Sequence, residues 1–216
     1  MFPHRLYLLS DEKILGDRSL NDTVEAAVRG GVDIVQYRNK TKTIPEQVEE
    51  AGRLKEMLDR LGVPLIINDH SKVAYQVKAA GVHLGQDDLQ IGEVRTFLPT
   101  AWIGISTHTI EQARAASDAG ATYIGFGPIF ATGTKTSNAA PVVGPVQIRP
   151  ILLSVPVPIF PVGGITLENI GTVLAAGAHR LAVISAILGA SDPERAARCF
   201  KEHLDKKRAG RYSSPP

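Results

Sequence analysis

Short runs of apolar and β-branched residues recur along the chain, and segments with helical periodicity separate them. Several of the runs lack the alternation of apolar and polar residues expected of a half-exposed strand, so both faces of such a strand should be buried. Strands that alternate with helices build a parallel sheet, and eight such units close into a barrel. The pattern predicts an α/β fold, a single (β/α)8 TIM barrel. The eight predicted strands are Arg5 to Ser10, Asp33 to Arg38, Pro64 to Asp69, Gly81 to Gln86, Trp102 to Thr107, Tyr123 to Phe130, Pro158 to Gly163, and Arg180 to Ile187.

The segments between the strands carry signals for helix starts and ends. Thr43 with Glu46 fits a capping box, Thr109 with Gln112 repeats the spacing, and Pro193 follows an acidic cap. A glycine directly before a strand suits the left-handed residue that ends the preceding helix. Five positions fit this description, which predicts one turn reused around the barrel: Gly31, Gly62, Gly81, Gly120 and Gly177.

An open nucleotide-binding sheet is the structural alternative to a barrel. No G-x-G-x-x-G follows the first predicted strand, which disfavours that alternative. We expect one catalytic barrel domain over residues 1–205 and a flexible tail over 206–216, where basic, Ser and Pro residues lack periodicity.

Composition narrows the classes of partner. The 216 residues carry a net charge of +2 with the basic residues spread along the chain, so we expect neither nucleic acid nor a membrane as a partner. Small anionic ligands at a local site fit better. The single Cys199 excludes an internal disulfide and is interpreted as a packing residue. No signal peptide or spanning segment is evident, so a cytoplasmic location is expected. The sequence leaves open whether the chain forms a homo-oligomer.

Charged residues collect where predicted strands end, which is where barrel enzymes place their active sites. Arg38 and Lys40 are two residues apart, so both side chains can meet one polyanion such as a pyrophosphate. Asp69 and Asp88 end neighbouring strands, and two carboxylates with room for water and phosphate oxygens suit Mg²⁺. The alternatives are a surface ion pair for the cations and helix capping for the aspartates.

Two further segments favour phosphate binding. The Gly163-Gly164-Ile165-Thr166 turn is expected to lead from the seventh strand into a helix, with bare backbone amides near a phosphate, and Ile184-Ser185 on the eighth strand would add donors. The segment 131–143, which contains Lys135, is a candidate lid over the barrel mouth. A plain tight turn and a disordered loop are the respective alternatives.

Taken together, these stretches resemble the thiamine phosphate synthase family, whose members are (β/α)8 enzymes. The resemblance covers the chain from about Leu6 to Leu204. Each piece is short, and their order along successive strand ends makes the set specific. The matching pieces are Val35 to Lys40, Ile67 to Asp69, Gly81 to Asp88, Gly104 to Thr109, Gly127 to Phe130, Thr132 to Lys135, Gly163 to Ile165, and Ile184 to Ile187.

The resemblance implies an activity and a role for each position. The activity joins hydroxymethylpyrimidine pyrophosphate to a thiazole phosphate, with Mg²⁺ carried by Asp69 and Asp88. The pyrimidine pyrophosphate would be held by Gln36, Arg38, Lys40, Asn68, Ser106 and Lys135, of which Arg38, Lys40, Ser106 and Lys135 would be catalytic. The thiazole phosphate would be held by Thr132, Gly133, Thr134, Gly164, Ile184 and Ser185.

Some positions depart from the common pattern of this family. Ser10 precedes Asp11 where Thr is usual, Tyr37 replaces a leucine, Asn39 replaces an acidic residue, and His179-Arg180 stands where Asp-Gly is frequent. None removes an implied ligand, although the tyrosine is expected to bear on the shape of the pyrimidine side.

Two other functions compete with the synthase. A thiazole tautomerase on the same barrel would use His108 as its acid/base group and would have no use for a magnesium pair. A non-catalytic phosphate-binding regulator would need only the Gly164 and Ser185 side. The four charged residues Arg38, Lys40, Asp69 and Asp88 favour the synthase, and His108 is interpreted as a helix-entry residue near the mouth.

Overall fold

The structure is a computed structural model that describes residues 2–133 and 141–208, without the side chain of Arg208. Within these ranges eight strands form one parallel sheet in the order β7-β6-β5-β4-β3-β2-β1-β8. A parallel bridge between Val162 and Ala182 joins the two ends of that order. The predicted (β/α)8 TIM barrel is confirmed. The strands are β1 Leu6–Leu9, β2 Ile34–Tyr37, β3 Leu65–Asn68, β4 Gly81–Leu84, β5 Trp102–Thr107, β6 Tyr123–Phe126, β7 Ile159–Pro161 and β8 Leu181–Val183.

Helices follow the strands and pack their apolar faces against the outside of the barrel. The longest, α3, buries Ala51, Leu54 and Leu58 along one stripe. The helices are α1 Glu12–Leu15, α2 Leu20–Arg29, α3 Ile44–Arg60, α4 Ser71–Gln76, α5 Ile91–Phe97, α6 Ile110–Asp118, α7 Ile148–Ser154, α8 Ile170–Ala175, α9 Ser185–Leu188 and α10 Pro193–Arg208, with a 3₁₀ turn at Pro145–Gln147 before α7. No helix in the described part of the chain is both long and apolar enough to cross a bilayer.

Strand ends differ most from the sequence prediction after β6 and β8. β6 ends four residues before its predicted end at Phe130. β8 was predicted to run through Ile187, but it ends at Val183, and Ser185 is the first residue of α9. Ile187 and Leu188 are fully buried in that helix. The apolar run therefore continues through a change from strand to helix, which periodicity does not separate over so few residues.

Four of the five predicted turn glycines are confirmed. Gly31, Gly62, Gly120 and Gly177 have φ of +111°, +67°, +93° and +106°. Gly81 was predicted wrongly, because it lies inside β4, and Lys78 takes the left-handed conformation after α4, with φ of +52°.

Gly81 meets a packing requirement instead of a turn requirement. A Cβ at that position would lie 2.2 Å from the carbonyl oxygen of Trp102 on the neighbouring strand.

The caps at the helix starts are largely as predicted. The Glu46 carboxylate accepts a hydrogen bond from the Thr43 amide at 2.8 Å, and the Asp192 carboxylate accepts one from the Arg195 amide at 2.9 Å. At α6 only half of the expected box forms. Thr109 accepts from the Gln112 amide, but the Gln112 side chain turns to the amide of His108 at 2.7 Å, one residue earlier than predicted.

The last helix continues into the segment that the sequence predicted as a tail. α10 is described through Arg208, three residues beyond the predicted boundary at 205, and residues 209–216 lie outside the described ranges. Cys199 lies on α10 and is partly buried.

Aromatic rings fill the barrel interior. The rings of Tyr7, Tyr123 and Phe160 contact one another edge to face at centroid distances of 5.3 to 5.8 Å. Phe2 packs against Tyr123, Phe160 and Trp102 and closes the amino-terminal end of the barrel. The interior is a packed core below the site, which therefore lies at the other end.

Gly104 on β5 gives these rings their space, which predicts a stability effect. A Cβ there would lie 2.2 Å from Cζ of Tyr123 and 2.4 Å from Nδ1 of His83. Gly104→Ala should therefore lower the free energy of unfolding by about 1–3 kcal/mol in urea denaturation. Gly52→Ala is the matched control, because Gly52 lies within α3 with no atom within 4 Å of the added Cβ. It should raise the stability by about 0.5–1 kcal/mol. Equal effects of the two variants would contradict this account of the interior.

Candidate active site

A cavity of about 130 Å³ lies at the carboxyl ends of the strands and opens to solvent. Its position is the one where this fold places active sites. Six residues predicted for the site line it: Gln36, Arg38, Asn68, Ser106, Thr132 and Ile184. The single cavity thus collects side chains from β2, β3 and β5 and from the segments after β6 and β8.

Gln36 leaves one hydrogen-bonding atom without a partner at the cavity. It is buried on β2, and its Nε2 donates to the hydroxyl of Tyr7 at 2.8 Å. Its Oε1 is buried, and no described residue donates to it. A buried acceptor without a partner is costly, so this oxygen is a candidate contact for a ligand that brings a donor.

Arg38 is held in place by Asp11, which begins α1. Asp11 Oδ1 accepts from the amides of Lys13 and Ile14 and caps that helix, while Oδ2 accepts from the Arg38 guanidinium. Ser10 Oγ accepts from the Arg38 amide at 2.9 Å. Ser10 and Asp11 therefore fix the direction of Arg38 from the neighbouring strand end. In the sequence, the Ser10-Asp11 pair stands out only as a departure from the family pattern, and no signal there indicates this contact.

Lys40, Asp69 and Asp88 form one charged group at the rim. The Lys40 ammonium donates to Asp69, and Asp88 lies close enough to Asp69 for the two carboxyl groups to shift each other's pKa. Asp88 also accepts from the amide of Gly85 at 2.6 Å. Asp69 has φ of +59°, and its amide donates to the carbonyl of His83 at 2.8 Å. Backbone strain of this kind occurs most often at functional sites.

The pKa values of the two aspartates are shifted in opposite directions. Burial alone would raise the pKa of Asp69, but the hydrogen bond and charge of Lys40 outweigh it, so the pKa is lowered. Burial and the negative charge of Asp69 raise the pKa of Asp88, against the opposing hydrogen bond from Gly85. The pair thus concentrates negative charge that a cation would relieve.

The donor set of this pair decides which ions it can hold. No group of three or more His, Cys, Asp or Glu residues with metal-binding geometry occurs among the described residues. A complete zinc or calcium cage is therefore not formed there, whereas two carboxylates suit an ion that keeps water and phosphate oxygens as its other ligands.

The side predicted for a thiazole phosphate is only partly assembled in the described residues. Thr132 and Ile184 line the cavity, while Gly133, Gly164 and Ser185 are not among its lining residues. Thr134 and Lys135 lie outside the described ranges, as does most of the predicted lid.

The turn after β7 differs from the prediction. Gly163 lines the cavity, and Gly163 and Gly164 have φ of +99° and +63°. The following helix was expected directly after this turn but begins only at Ile170, since Asn169 forms a further turn by accepting from the Thr166 amide at 2.9 Å. A Cβ on Gly164 would lie 2.6 Å from the carbonyl oxygen of Ala131, so the turn packs closely against the segment after β6.

Apart from Ser10, the departures from the family pattern lie away from the cavity. The Tyr37 hydroxyl donates to Glu50 of α3 at 2.6 Å, so this side chain faces outward and does not shape the pyrimidine side as expected. Asn39 accepts from the amides of Thr41 and Lys42 and shapes the loop after β2. Arg180 donates to carbonyl groups of residues 2 and 4 at the opposite end of the barrel.

Three residues of the site were missed because they resemble core residues in the sequence. Tyr7 and His83 line the cavity, and Tyr123 lies directly beneath it. His83 Nε2 is 2.9 Å from Ser106 Oγ, and His83 Nδ1 is 3.1 Å from the Tyr123 hydroxyl. The signal available was the polar residue inside each apolar run. His108 precedes the cap of α6, as predicted, and also lines the cavity.

Comparison with known proteins identifies the family. A family model described as thiamine monophosphate synthase matches residues 6–187. The chain belongs to the thiamine monophosphate synthase family. It is 43% identical over 207 residues to the thiamine-phosphate synthase of Halalkalibacterium halodurans, covering 95% of this chain and 98% of the relative. It is also 43% identical to that of Chloroflexus aurantiacus, covering 90% and 89%.

A solved member of the thiamine monophosphate synthase family shares the fold. The thiamine phosphate pyrophosphorylase from Pyrococcus furiosus superposes with a TM-score of 0.85 at 30% sequence identity, and the match covers 94% of this chain and 96% of that structure. Relatives of this kind are transferases, so this chain is an enzyme of the same class. The resemblance read from the strand ends is thereby confirmed over nearly the whole barrel.

The Lys40 contact predicts how this synthase-family site responds to pH. Lys40→Met should raise the pKa of Asp69, measured by carboxyl NMR titration in metal-free buffer, because the ammonium is what lowers it. A lowered pKa in the folded state stabilises the fold above the unfolded pKa of about 4. The variant should therefore lose stability above that pH and match the unsubstituted protein once Asp69 is protonated.

Lys55→Met is the matched control for this prediction. It removes a Lys–Asp contact, to Asp59 within α3, and should leave the pKa of Asp69 unchanged. A pKa of Asp69 that does not rise in Lys40→Met would contradict the assignment of Lys40 as its dominant partner.

Proposed function

We propose that this chain condenses hydroxymethylpyrimidine pyrophosphate with hydroxyethylthiazole phosphate, giving thiamine monophosphate and pyrophosphate by a dissociative substitution assisted by Mg²⁺. The family assignment supports the overall reaction. One observation supports the mechanism above the others. Asp69, after β3, the strand next to that of Arg38, contacts Lys40, and Asp88, after β4, lies close enough to Asp69 for that carboxylate to raise its pKa.

Asp69 and Asp88 are the residues that would hold the ion. Both supply carboxylate oxygens as possible metal ligands, in the segments after the neighbouring strands β3 and β4. Burial raises the pKa of Asp88, and the negative charge of Asp69 raises it further. Carboxylate oxygens are the donor chemistry that Mg²⁺ prefers. A bound Mg²⁺ supplies neutralisation of the negative charge that builds on a departing pyrophosphate.

The cationic side chains act on the same leaving group. The Arg38 guanidinium is one-sixth exposed and already oriented by Asp11, so it presents a fixed fork to a phosphate oxygen. Lys40 is half exposed and must leave Asp69 or share it when the pyrophosphate binds. Lys135 is assigned here through the family resemblance alone.

The reaction needs no protein nucleophile. The carbon–oxygen bond between the methylene carbon and the pyrophosphate breaks, and the electron pair leaves with the pyrophosphate. The amino-substituted ring stabilises the resulting cation until the thiazole nitrogen donates its electron pair to the methylene carbon. Gln36, Asn68 and Ser106 line the cavity where this ring would lie, and their role is to orient it.

The thiazole phosphate is assigned to the opposite side of the cavity. Thr132 and Ile184 line that side, and Gly133, Thr134, Gly164 and Ser185 are carried over from the family resemblance. The short helix α9 follows β8, and loops after the seventh and eighth strands with such a helix commonly bind phosphate in this fold.

A turnover assay tests the reaction. Pyrophosphate release should require the pyrimidine pyrophosphate, the thiazole phosphate and Mg²⁺ together. Metal-independent isomerisation of the thiazole phosphate alone would instead support a thiazole tautomerase that uses His108, whose ring also lines the cavity. Binding of the thiazole phosphate without either reaction would support the non-catalytic regulator.

Removing one carboxylate should separate the metal side from the thiazole side. Asp88→Ala should lower the rate by roughly 100-fold or more while the dissociation constant for thiazole phosphate stays nearly unchanged, as measured by calorimetry. Asp88→Asn should behave alike, and its side-chain oxygen can still accept from the Gly85 amide. Asp87→Ala is the control, because Asp87 is a neighbouring exposed aspartate outside the pair. If thiazole phosphate affinity falls in parallel with the rate, the proposed division of the cavity is wrong.

A further inference from the structure

A chain of hydrogen bonds crosses the barrel interior beneath the cavity and connects two of its lining residues. Gln36 Nε2 lies 2.8 Å from the Tyr7 hydroxyl, which lies 2.8 Å from the Tyr123 hydroxyl. The Tyr123 hydroxyl lies 3.1 Å from His83 Nδ1, and His83 Nε2 lies 2.9 Å from Ser106 Oγ. Four hydrogen bonds thus link β2 to β5 through residues of β1, β6 and β4.

Two glycines provide the space for this chain. A Cβ on Gly104 would lie 2.2 Å from Tyr123 and 2.4 Å from His83, and a Cβ on Gly125 would lie 3.2 Å from the His83 ring. Tyr7 and Tyr123 are 1% exposed or less, and His83 is 7% exposed. The hydrogen-bond chain is therefore an ordered part of the barrel interior and not a chance contact between surface groups.

The amide of Gln36 fixes the direction of every bond in the chain. Its Nε2 can only donate, so the Tyr7 oxygen accepts from it. Among the described residues the Tyr7 hydroxyl then has Tyr123 as the acceptor for its own hydrogen. Tyr123 in turn donates to His83 Nδ1. An Nδ1 that accepts places the imidazole proton on Nε2, which donates to Ser106 Oγ.

We propose that Tyr7 and Tyr123 are positioning residues that hold His83 as the neutral Nε2–H tautomer. His83 in turn positions Ser106, so that the hydroxyl hydrogen of Ser106 is directed into the cavity. The two ends of the chain then differ in character. The buried Oε1 of Gln36 is an acceptor at one end, and the Ser106 hydroxyl is a donor at the other.

The consequence for binding rests on the proposed function. A ring held between these ends must bring a donor to Gln36 and an acceptor to Ser106, as an amino-substituted nitrogen heterocycle does. A misdirected Ser106 hydrogen would leave that acceptor without a partner, which costs affinity and rate without changing the thiazole side.

The tautomer itself is measurable without any substrate. In protein labelled with ¹⁵N-histidine, ring correlation NMR should show His83 protonated on Nε2 and unprotonated on Nδ1 at neutral pH, with the signal assigned by its loss in His83→Gln. Tyr123→Phe removes the donor to Nδ1 and should populate the Nδ1–H form. Tyr7→Phe breaks the link from Gln36 but leaves Tyr123 able to donate, so it should populate the Nδ1–H form to a smaller extent than Tyr123→Phe does.

Turnover provides the second measurement. Tyr123→Phe should lower kcat/KM for the pyrimidine pyrophosphate by about 10-fold, the value of one neutral hydrogen bond, with KM for thiazole phosphate changed less than about 2-fold. Tyr37→Phe is the matched control. It removes a buried tyrosine hydroxyl bond on the outer face of β2, to Glu50, and should leave both constants unchanged.

The possible results separate this proposal from the proposed function. His83 found as Nδ1–H would reverse the three bonds from Tyr7 through Tyr123 and His83 to Ser106 and would overturn the proposal, whether or not the enzyme has synthase activity. His83 found as Nε2–H with no synthase activity supports the hydrogen-bond direction and overturns the proposed function instead. An equal loss of kcat/KM in Tyr123→Phe and Tyr37→Phe would show that the hydrogen-bond chain only supports the fold, and it would overturn the claim that these residues position Ser106.

Discussion

Closure of the parallel sheet is the constraint on which every other feature of this chain depends. β1 lies between β2 and β8, so the ends of the chain must meet. Arg5 holds them together, because its guanidinium donates to the carbonyl groups of His179 and Leu204 and to the carboxylate of Asp205. Its amide and that of Leu6 donate to Asp33. The closed ring brings strand ends from distant parts of the sequence to one rim.

At that rim, each of the two cationic side chains is paired with a carboxylate of the protein itself. Arg38 contacts the buried Asp11, and the half-exposed Lys40 contacts Asp69. The two cations differ in how firmly they are held, since Asp11 is almost fully buried and caps a helix as well. Arg38 is thus a fixed element of the site, while Lys40 is the cation that can redistribute its contacts when an anion or a divalent ion enters.

The sequence predicted the barrel and the rim better than it predicted the floor of the cavity. Strand number and order follow from alternation of apolar runs and helices, and charged residues at strand ends stand out against such runs. Tyr7, His83 and Tyr123 stand out less, because a tyrosine or histidine inside an apolar run also occurs as an ordinary core residue, and the sequence does not show which partner its polar atom has. Ser185 was misplaced for a related reason, since a buried strand and a buried short helix use the same residue types.

His83 contacts both Asp69 and Ser106, one through its backbone and the other through its ring. Its carbonyl accepts from the amide of Asp69 in that residue's left-handed conformation, while its ring contacts Ser106. The positions of Asp69 and Ser106 therefore both depend on His83 of β4. A displacement of this strand would therefore disturb the aspartate and the serine together.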